Sequence, residues 1–358
     1  EVSTGIAYTG VVGILKGNKK GKVVALRADM DGLPVTERGS LPYKSQATSI
    51  FNNQKTGVMH ACGHDTHVAI LMGVAEILAN NRDFAGSVKF IFQPAEEGPP
   101  AGEEGGALLM VKEGVLKNPD VDAVFGLHIN SATPVGHIAY KTKGIMAAAD
   151  EYKIVVGGKQ SHGSTPWNSV DPIMISSQII NGIQTLISRS SELTKEGAVV
   201  SVGAIHSGIR SNIIPESAEM IGTIRTLDAD MQTVIHNRMY DMIPKIAAAF
   251  GGTATVTIRK TAALTYNDEA LTNLMVPTLE RAVGASNVHV MRAITGAEDF
   301  SYFQEQVPGL YFFLGGMEPT MNPANAPSHH TPDFVVQDEG MIHGVKAMVG
   351  LALDFLKL

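Results

Sequence analysis

Hydrophobic positions along the first third of the chain follow two alternating periods. Residues 22–27 (KVVALR), 87–92 (SVKFIF) and 121–127 (VDAVFGL) are short runs rich in β-formers and read as strands. Between them, residues 66–79 carry Val68, Leu71, Val74, Ala75 and Leu78 at helical spacing. This strand–helix–strand rhythm predicts an α/β fold with a mostly parallel sheet covered by helices. Ligand sites in such sheets lie beyond the carboxyl ends of the strands. Asp29, Glu96, Glu97 and His128 all fall at ends of that kind.

The texture changes near Ala147. A strand at 151–156 is followed by the glycine-rich GGKQSHGSTP, then by a helix at 171–188 opened by Asp-Pro. Strands at 198–205, 218–224 and 253–258 follow, with a helix at 229–250 before the last. That is the ferredoxin-like order. Residues 148–262 are therefore read as an inserted α+β domain. Residues 1–147 and 263–358 form the other domain, which ends with a helix at 269–283, a strand at 309–314 and a helix at 338–355.

Composition narrows the function classes. The 358 residues are 44% hydrophobic and 18% charged, with a net charge of −7. Nucleic acid is excluded as the main partner, because phosphate binding needs clustered Lys and Arg. No apolar stretch of about 20 residues exists to span a membrane, and no signal-peptide pattern is visible, so a cytoplasmic location is expected. Cys62 is the single cysteine, which rules out an intrachain disulfide.

The candidate chemistry is concentrated in a few motifs. MHACGHDTH places His60, Cys62, His64, Asp65 and His67 in one short stretch. Gly63 between Cys62 and His64 allows both to turn toward one centre. A helix beginning after them would leave Cys62 and His64 on the loop, with Asp65 suited to an N-cap or to supporting a ligand. His60 reads as structural, and His67 as ligand or structural. Glu96-Glu97, at the end of an apolar run, offers one carboxylate to hold a metal and one to act as general base, in either order. His128 and one imidazole of His329-His330 can reach the same cleft. Thiolate, imidazole and carboxylate together are a donor set for zinc-like metals.

The segments LRADMDGLPVTE, MHACGHD, FQPAEEG, FGLH, TGAEDFSYF and HTPDF, in that order over nearly the whole chain, resemble the aminoacylase/carboxypeptidase metallopeptidase family. More narrowly, they resemble its amidohydrolase branch of hippurate hydrolases, N-acyl-amino-acid amidohydrolases and auxin–amino acid conjugate hydrolases. The resemblance implies metal ligands Cys62, His64, Glu97, His128 and His330, with Glu96 as general base. It implies two divalent ions (zinc by default; manganese, cobalt or nickel otherwise), with Cys62 bridging. It also implies that the inserted domain is a lid and dimerisation domain, so that a homodimer is expected. His162 in GKQSHGSTP would polarise the substrate carbonyl, Asn212 in SNIIP would bind substrate, and Arg225 in IGTIRT would lie near the substrate carboxylate. The implied reaction is hydrolysis of N-acyl-L-amino acids. A dipeptidase or carboxypeptidase of the same chemistry is the near rival, and a non-catalytic metal-binding homologue or a cysteine hydrolase is further away. Two departures stand out. Trp167 occupies a position where the family usually has His, and the family's His-x-x-Pro-Glu helical motif is not in this sequence.

Overall fold

The computed structural model describes residues 1–100 and 102–358. The chain divides into two compact units. The larger comprises Glu1–Ile145, Tyr266–Arg292 and Asp299–Leu358; the smaller comprises Met146–Thr265 and Ala293–Glu298.

The larger unit is built on an eight-stranded sheet. Its strands are β1 (Val2–Ile6), β2 (Gly10–Lys16), β3 (Lys19–Asp29), β6 (Ala85–Gln93), β7 (Ala123–Pro134), β8 (Ile138–Tyr140), β17 (Val288–Val290) and β18 (Gly309–Met317). They lie in the order β1-β2-β6-β3-β7-β18-β8-β17. The centre β6-β3-β7-β18 is parallel, and antiparallel β2 and β1 extend one side. Strands buried on both faces need unbroken apolar runs. That is why Val24, Leu26, Val88, Ile91, Val124 and Phe125 are all inaccessible to solvent. Helices α1 (His64–Asn80), α5 (Glu269–Val283) and α7 (Met341–Phe355) close a core with Leu26, Phe90, Phe125, Ile70, Val74, Leu279, Leu351 and Phe355. Each fully buried large apolar side chain of this kind contributes about 1.5–3 kcal/mol before entropy is counted. Two shorter helices, α2 (Gly106–Lys112) and α6 (Ser301–Gln304), complete the unit, with a hairpin of β4 (Thr48–Phe51) and β5 (Gln54–Gly57).

The smaller unit has the order β10 (Ala148–Gly157), α3 (Pro172–Ser190), β12 (Ala198–Ser207), β14 (Ser217–Thr226), α4 (Ala229–Ala249) and β15 (Thr253–Ala262). The strands pair antiparallel as β12-β14-β10-β15, which is the ferredoxin-like arrangement. Alternation along β10 puts Tyr152, Ile154 and Val156 inward, against Ile179, Ile183, Met220, Ile235 and Met239. Asp171 caps α3 by accepting from the backbone N–H of Ile173 at 2.8 Å. Asp228 caps α4 through Met231 N–H at 2.9 Å. A two-stranded ribbon of β11 (Ser161–His162) and β13 (Ile213–Ile214) belongs to the same unit. Short strands β9 (Lys143–Met146) and β16 (Thr265–Asn267) lie where the chain passes between units. Ala293–Glu298, which the sequence placed in the larger domain, groups with the smaller unit. Ala147 N–H donates to Gly296 O at 2.9 Å, and Thr265 Oγ1 donates to Glu298 O at 3.2 Å. Among the described residues no helix is long and apolar enough to cross a membrane.

Candidate metal centre

Four separate segments of the larger unit meet at the carboxyl ends of β3 and β6 and beside β7. Helix α1 starts at His64, one residue earlier than a loop placement of that histidine would allow. Its first turn is led by Gly63 in the left-handed region (φ 87°), with no side-chain cap. Asp65 therefore does not serve as N-cap, and it is solvent-exposed. A Cβ at Gly63 would come within 2.6 Å of Ile129 Cγ2, so glycine is needed for space as well as for conformation. This turn sets buried Cys62 and His64 side by side.

Cys62 Sγ lies 3.3 Å from His128 Nε2, 3.2 Å from His330 Nε2 and 3.6 Å from His329 Nδ1. His330 Nε2 is 2.8 Å from Glu97 Oε1. Donor atoms of Cys62, His64 and Glu97 all lie within 4.8 Å of one another, and so do those of Asp31, His64 and Glu96. The structure thus gathers Cys62, His64, Glu97, His128, His330 and Glu96 in one place. His128 Nδ1–H donates to Ile129 O at 2.6 Å, which leaves Nε2 with its lone pair facing Cys62. His330 (φ 62°), and Ala95 (φ 54°) just before Glu96, hold backbone conformations costly for residues with a Cβ. Such strain concentrates at functional sites.

His64 is the most telling member. Both of its ring nitrogens are buried without a hydrogen-bond partner, as is Oδ1 of Asp31. The nearest oxygens are Asp31 Oδ1 at 3.4 Å, Asp29 Oδ2 at 3.8 Å and Glu96 Oε2 at 3.9 Å. Each unsatisfied buried polar group costs about 1–3 kcal/mol unless something else binds it. Burial opposes charging of the His64 ring, but Asp29 and Asp31 outweigh it and push its pKa up to about 9. The pocket is therefore strongly negative and favours a positive charge. Burial, reinforced by Glu97 and Glu96, raises the Cys62 thiol, and a thiol in that setting ionises when it coordinates a cation. Burial and neighbouring histidines hold His128 well below its usual range and His329 at about 4, so both rings are neutral. Neutral imidazoles, an ionisable thiol and carboxylates fit a borderline-soft divalent ion.

Sequence reasoning missed Asp31 as a site member and named His329 only as one of a pair of which one imidazole would reach the cleft. Asp31 Oδ2 accepts from Glu97 N–H at 2.8 Å and so fixes the Glu96-Glu97 turn. Its signal was the Asp-Met-Asp spacing at the end of β3. His329 Nε2 accepts from Ser131 N–H at 3.3 Å, which aims its Nδ1–H at Cys62. His67, by contrast, is fully committed. Its Nδ1–H donates to Asp29, and its Nε2 accepts from Ile129 N–H at 2.8 Å. His60 donates from Nδ1 to Asp31 O at 3.1 Å. Behind Asp29 stands buried Arg27, whose Nη1 is 2.6 Å from Asp29 Oδ2.

In the smaller unit, His162 and Asn212 are neighbours across the β11–β13 ribbon, with Gly163 N–H donating to Asn212 O at 2.8 Å. His162 Nδ1 accepts from Ser164 N–H at 3.1 Å, which puts the ring proton on exposed Nε2. Arg225 lies on β14, where Nη1 donates to Thr223 Oγ1 and to Ile224 O. Trp167 is 76% exposed in a short 3-10 turn.

A donor set open to solvent through half-exposed His330, with a second carboxylate beside it, suits catalysis better than a closed structural site. Fold and centre together define the class of metal-dependent hydrolases. The chain belongs to peptidase family M20/M25/M40, whose model matches residues 25–354, and it is a hydrolase of amides or peptides. It is 41% identical over 360 residues to thermostable carboxypeptidase 2 of Saccharolobus solfataricus, covering 99% of this chain and 86% of that protein. It is 37% identical over 352 residues to the N-acetylcysteine deacetylase of Bacillus subtilis, covering 98% and 86%. Among solved structures, a dinuclear metal-binding peptidase of the same family from Bacillus subtilis aligns with a TM-score of 0.80 and 32% identity, covering 100% of this chain and 88% of that one.

Proposed function

We propose that this protein hydrolyses the amide bond of N-acyl-L-amino acids at a centre of two divalent ions, zinc by default. Cys62, His64, Glu97, His128 and His330 would hold the ions. The observation that carries this is the orphaned imidazole of His64 among Asp29, Asp31 and Glu96. The dinuclear centre named for the similar Bacillus subtilis structure supports it. When bound, the ions supply Lewis acidity, which acidifies water and polarises a carbonyl.

The chain's own residues do the rest. Glu96 takes the proton of the attacking water as its oxygen bonds to the acyl carbon. It then delivers that proton to the nitrogen as the C–N bond breaks. His162, with its proton on Nε2, donates to the developing oxyanion, and Asn212 assists. Arg225 holds the carboxylate of the amino-acid half. The smaller domain (residues 148–262) is proposed as lid and dimerisation surface of a homodimer.

Glu96→Gln tests the assignment. The variant should retain bound metal and lose turnover; near-wild-type activity would refute Glu96 as the base. A second reading, carboxypeptidase action on peptides, is favoured by the 41% identity to thermostable carboxypeptidase 2. A panel of N-acetyl, N-benzoyl and dipeptide substrates separates the two.

A further inference from the structure

The chain does not run directly from β3 to Cys62. It detours through the β4–β5 hairpin, which turns on Asn52 and Asn53, both in the left-handed region (φ 49° and 61°). The hairpin is anchored at its foot. Thr56 Oγ1 donates to Pro34 O at 3.1 Å, and Val58 N–H donates to Ala47 O at 3.0 Å. Gly57 packs so closely on Thr36 that a Cβ there would come within 2.7 Å of its Cα. The hairpin nonetheless leaves Ile50 76% and Phe51 50% exposed. Two large apolar residues, consecutive on one strand of an anchored, preformed element and open to water, are unusual unless something covers them.

Both residues line a cleft of about 430 Å³ whose lining also includes Glu97 and Asp31, two carboxylates of the centre. Its walls include Met30, Leu33, Val58 and Pro94, and among the described residues no Lys, Arg or His lines it. This absence identifies the occupant. The amino-acid half of an N-acyl amino acid carries a carboxylate, for which this cleft offers no cationic side chain among the described residues. The acyl half is uncharged, and its carbonyl carbon is the reacting atom. A group that enters from that carbon and runs along an apolar wall is an acyl chain.

We propose that this cleft is the acyl-binding site and that the β4–β5 hairpin sets a preference for apolar acyl groups larger than acetyl. The inference rests on the amidohydrolase reading above and adds the substrate class to it. Acyl chains ending in a carboxylate, such as succinyl, are disfavoured by the same lack of a cation along the wall.

The test uses zinc-loaded protein and N-acetyl-, N-butanoyl-, N-hexanoyl- and N-octanoyl-L-methionine. In the wild type, kcat/KM should rise roughly 3–4-fold per methylene, the factor expected for burying one CH₂. In the double variant Ile50→Ser, Phe51→Ser, that slope should flatten, with the loss on octanoyl substrate carried in KM and acetyl substrate unaffected within about twofold. Both side chains are exposed, so the variant should fold. A flat wild-type series, or the same slope in the variant, overturns the inference. Calorimetric titration with octanamide and acetamide provides the separate readout. If no N-acyl amino acid is cleaved, yet octanamide binds more tightly than acetamide in wild type only, the amidohydrolase reading fails and the cleft stands. Octanamide binding no tighter than acetamide, or equally tight in the variant, removes the cleft.

Discussion

Replacing Arg27 with Met probes the wall behind the centre. Arg27 is 1% exposed, and its guanidinium is held by Asp29, Gln93 and Asp299 among its partners. Nη1 meets Asp29 at 2.6 Å, Nε donates to Gln93 Oε1 at 2.8 Å, and Nη2 meets Asp299 at 3.0 Å. Methionine keeps much of the volume and removes the charge. Asp29 then keeps the His67 ring, while Asp299 keeps the Gln93 amide and the Ala107 N–H. Removing one member of a buried ion pair costs about 3–5 kcal/mol, well above the roughly 1 kcal/mol expected from the shape change alone. At about 2–4 °C per kcal/mol, the unfolding midpoint should fall by roughly 6–20 °C.

The pH dependence gives a second handle. In the native protein, burial would raise the Asp29 pKa, but Arg27, His67 and His64 hold it well below 3.8. Its stabilising contribution is therefore complete above 3.8 and is lost only as pH falls through the lower folded value. Without Arg27 that pKa moves upward from its native value. The stability gap between wild type and variant should then narrow as pH falls through the variant's folded value. Denaturant titrations at several pH values measure it. A loss under about 1 kcal/mol, or a gap that does not change with pH, would refute the reasoning.

Other outcomes follow from the same geometry. Gly63→Ala adds a Cβ 2.6 Å from Ile129 Cγ2 at φ 87°; it should cost about 2–5 kcal/mol and lower metal content, read by thermal unfolding and elemental analysis. Stripping metal should remove about 3–4 kcal/mol of stability relative to protein held at 100–1,000 times the dissociation constant, and re-addition should restore it; a midpoint indifferent to chelator would contradict the orphaned His64 argument. His162→Ala should lower kcat/KM by about 10²–10³ with unchanged circular dichroism, since the ring is exposed. Asp228→Ala should destabilise the smaller unit by about 1 kcal/mol through loss of the α4 cap, without changing metal content.

What the sequence disclosed depended on burial. β3, β6 and β7 were legible because strands covered on both faces must be continuously apolar. Helix α5 was legible because Asp268 caps it and Leu271, Met275 and Leu279 recur on one side. β1 and the β4–β5 hairpin were not legible. β1 is almost wholly exposed and the hairpin largely so, and a solvated strand has no apolar period. The allegiance of Ala293–Glu298 rests on backbone hydrogen bonds that no side-chain pattern encodes. At the centre, residue types and spacing pointed to Cys62, His64, Glu96, Glu97, His128 and one imidazole of His329-His330; the family resemblance chose His330, and the structure brings these six together. The role of Asp31 and the commitment of His67 depend on hydrogen-bond direction, which only three-dimensional placement supplies.

Cys62 and His330, which touch in the finished molecule, stand 268 positions apart. During synthesis the thiol is made long before its imidazole neighbour, and the whole smaller unit is made in between. A metal ion meeting the nascent chain would find Cys62 and His64 without Glu97, His128 or His330. The complete donor set exists only after the carboxyl-terminal segments have joined the amino-terminal half of the sheet. Under the proposed ligand assignment, tight metal capture would therefore report that His330 has joined the fold, and a product stalled before it should hold metal less firmly.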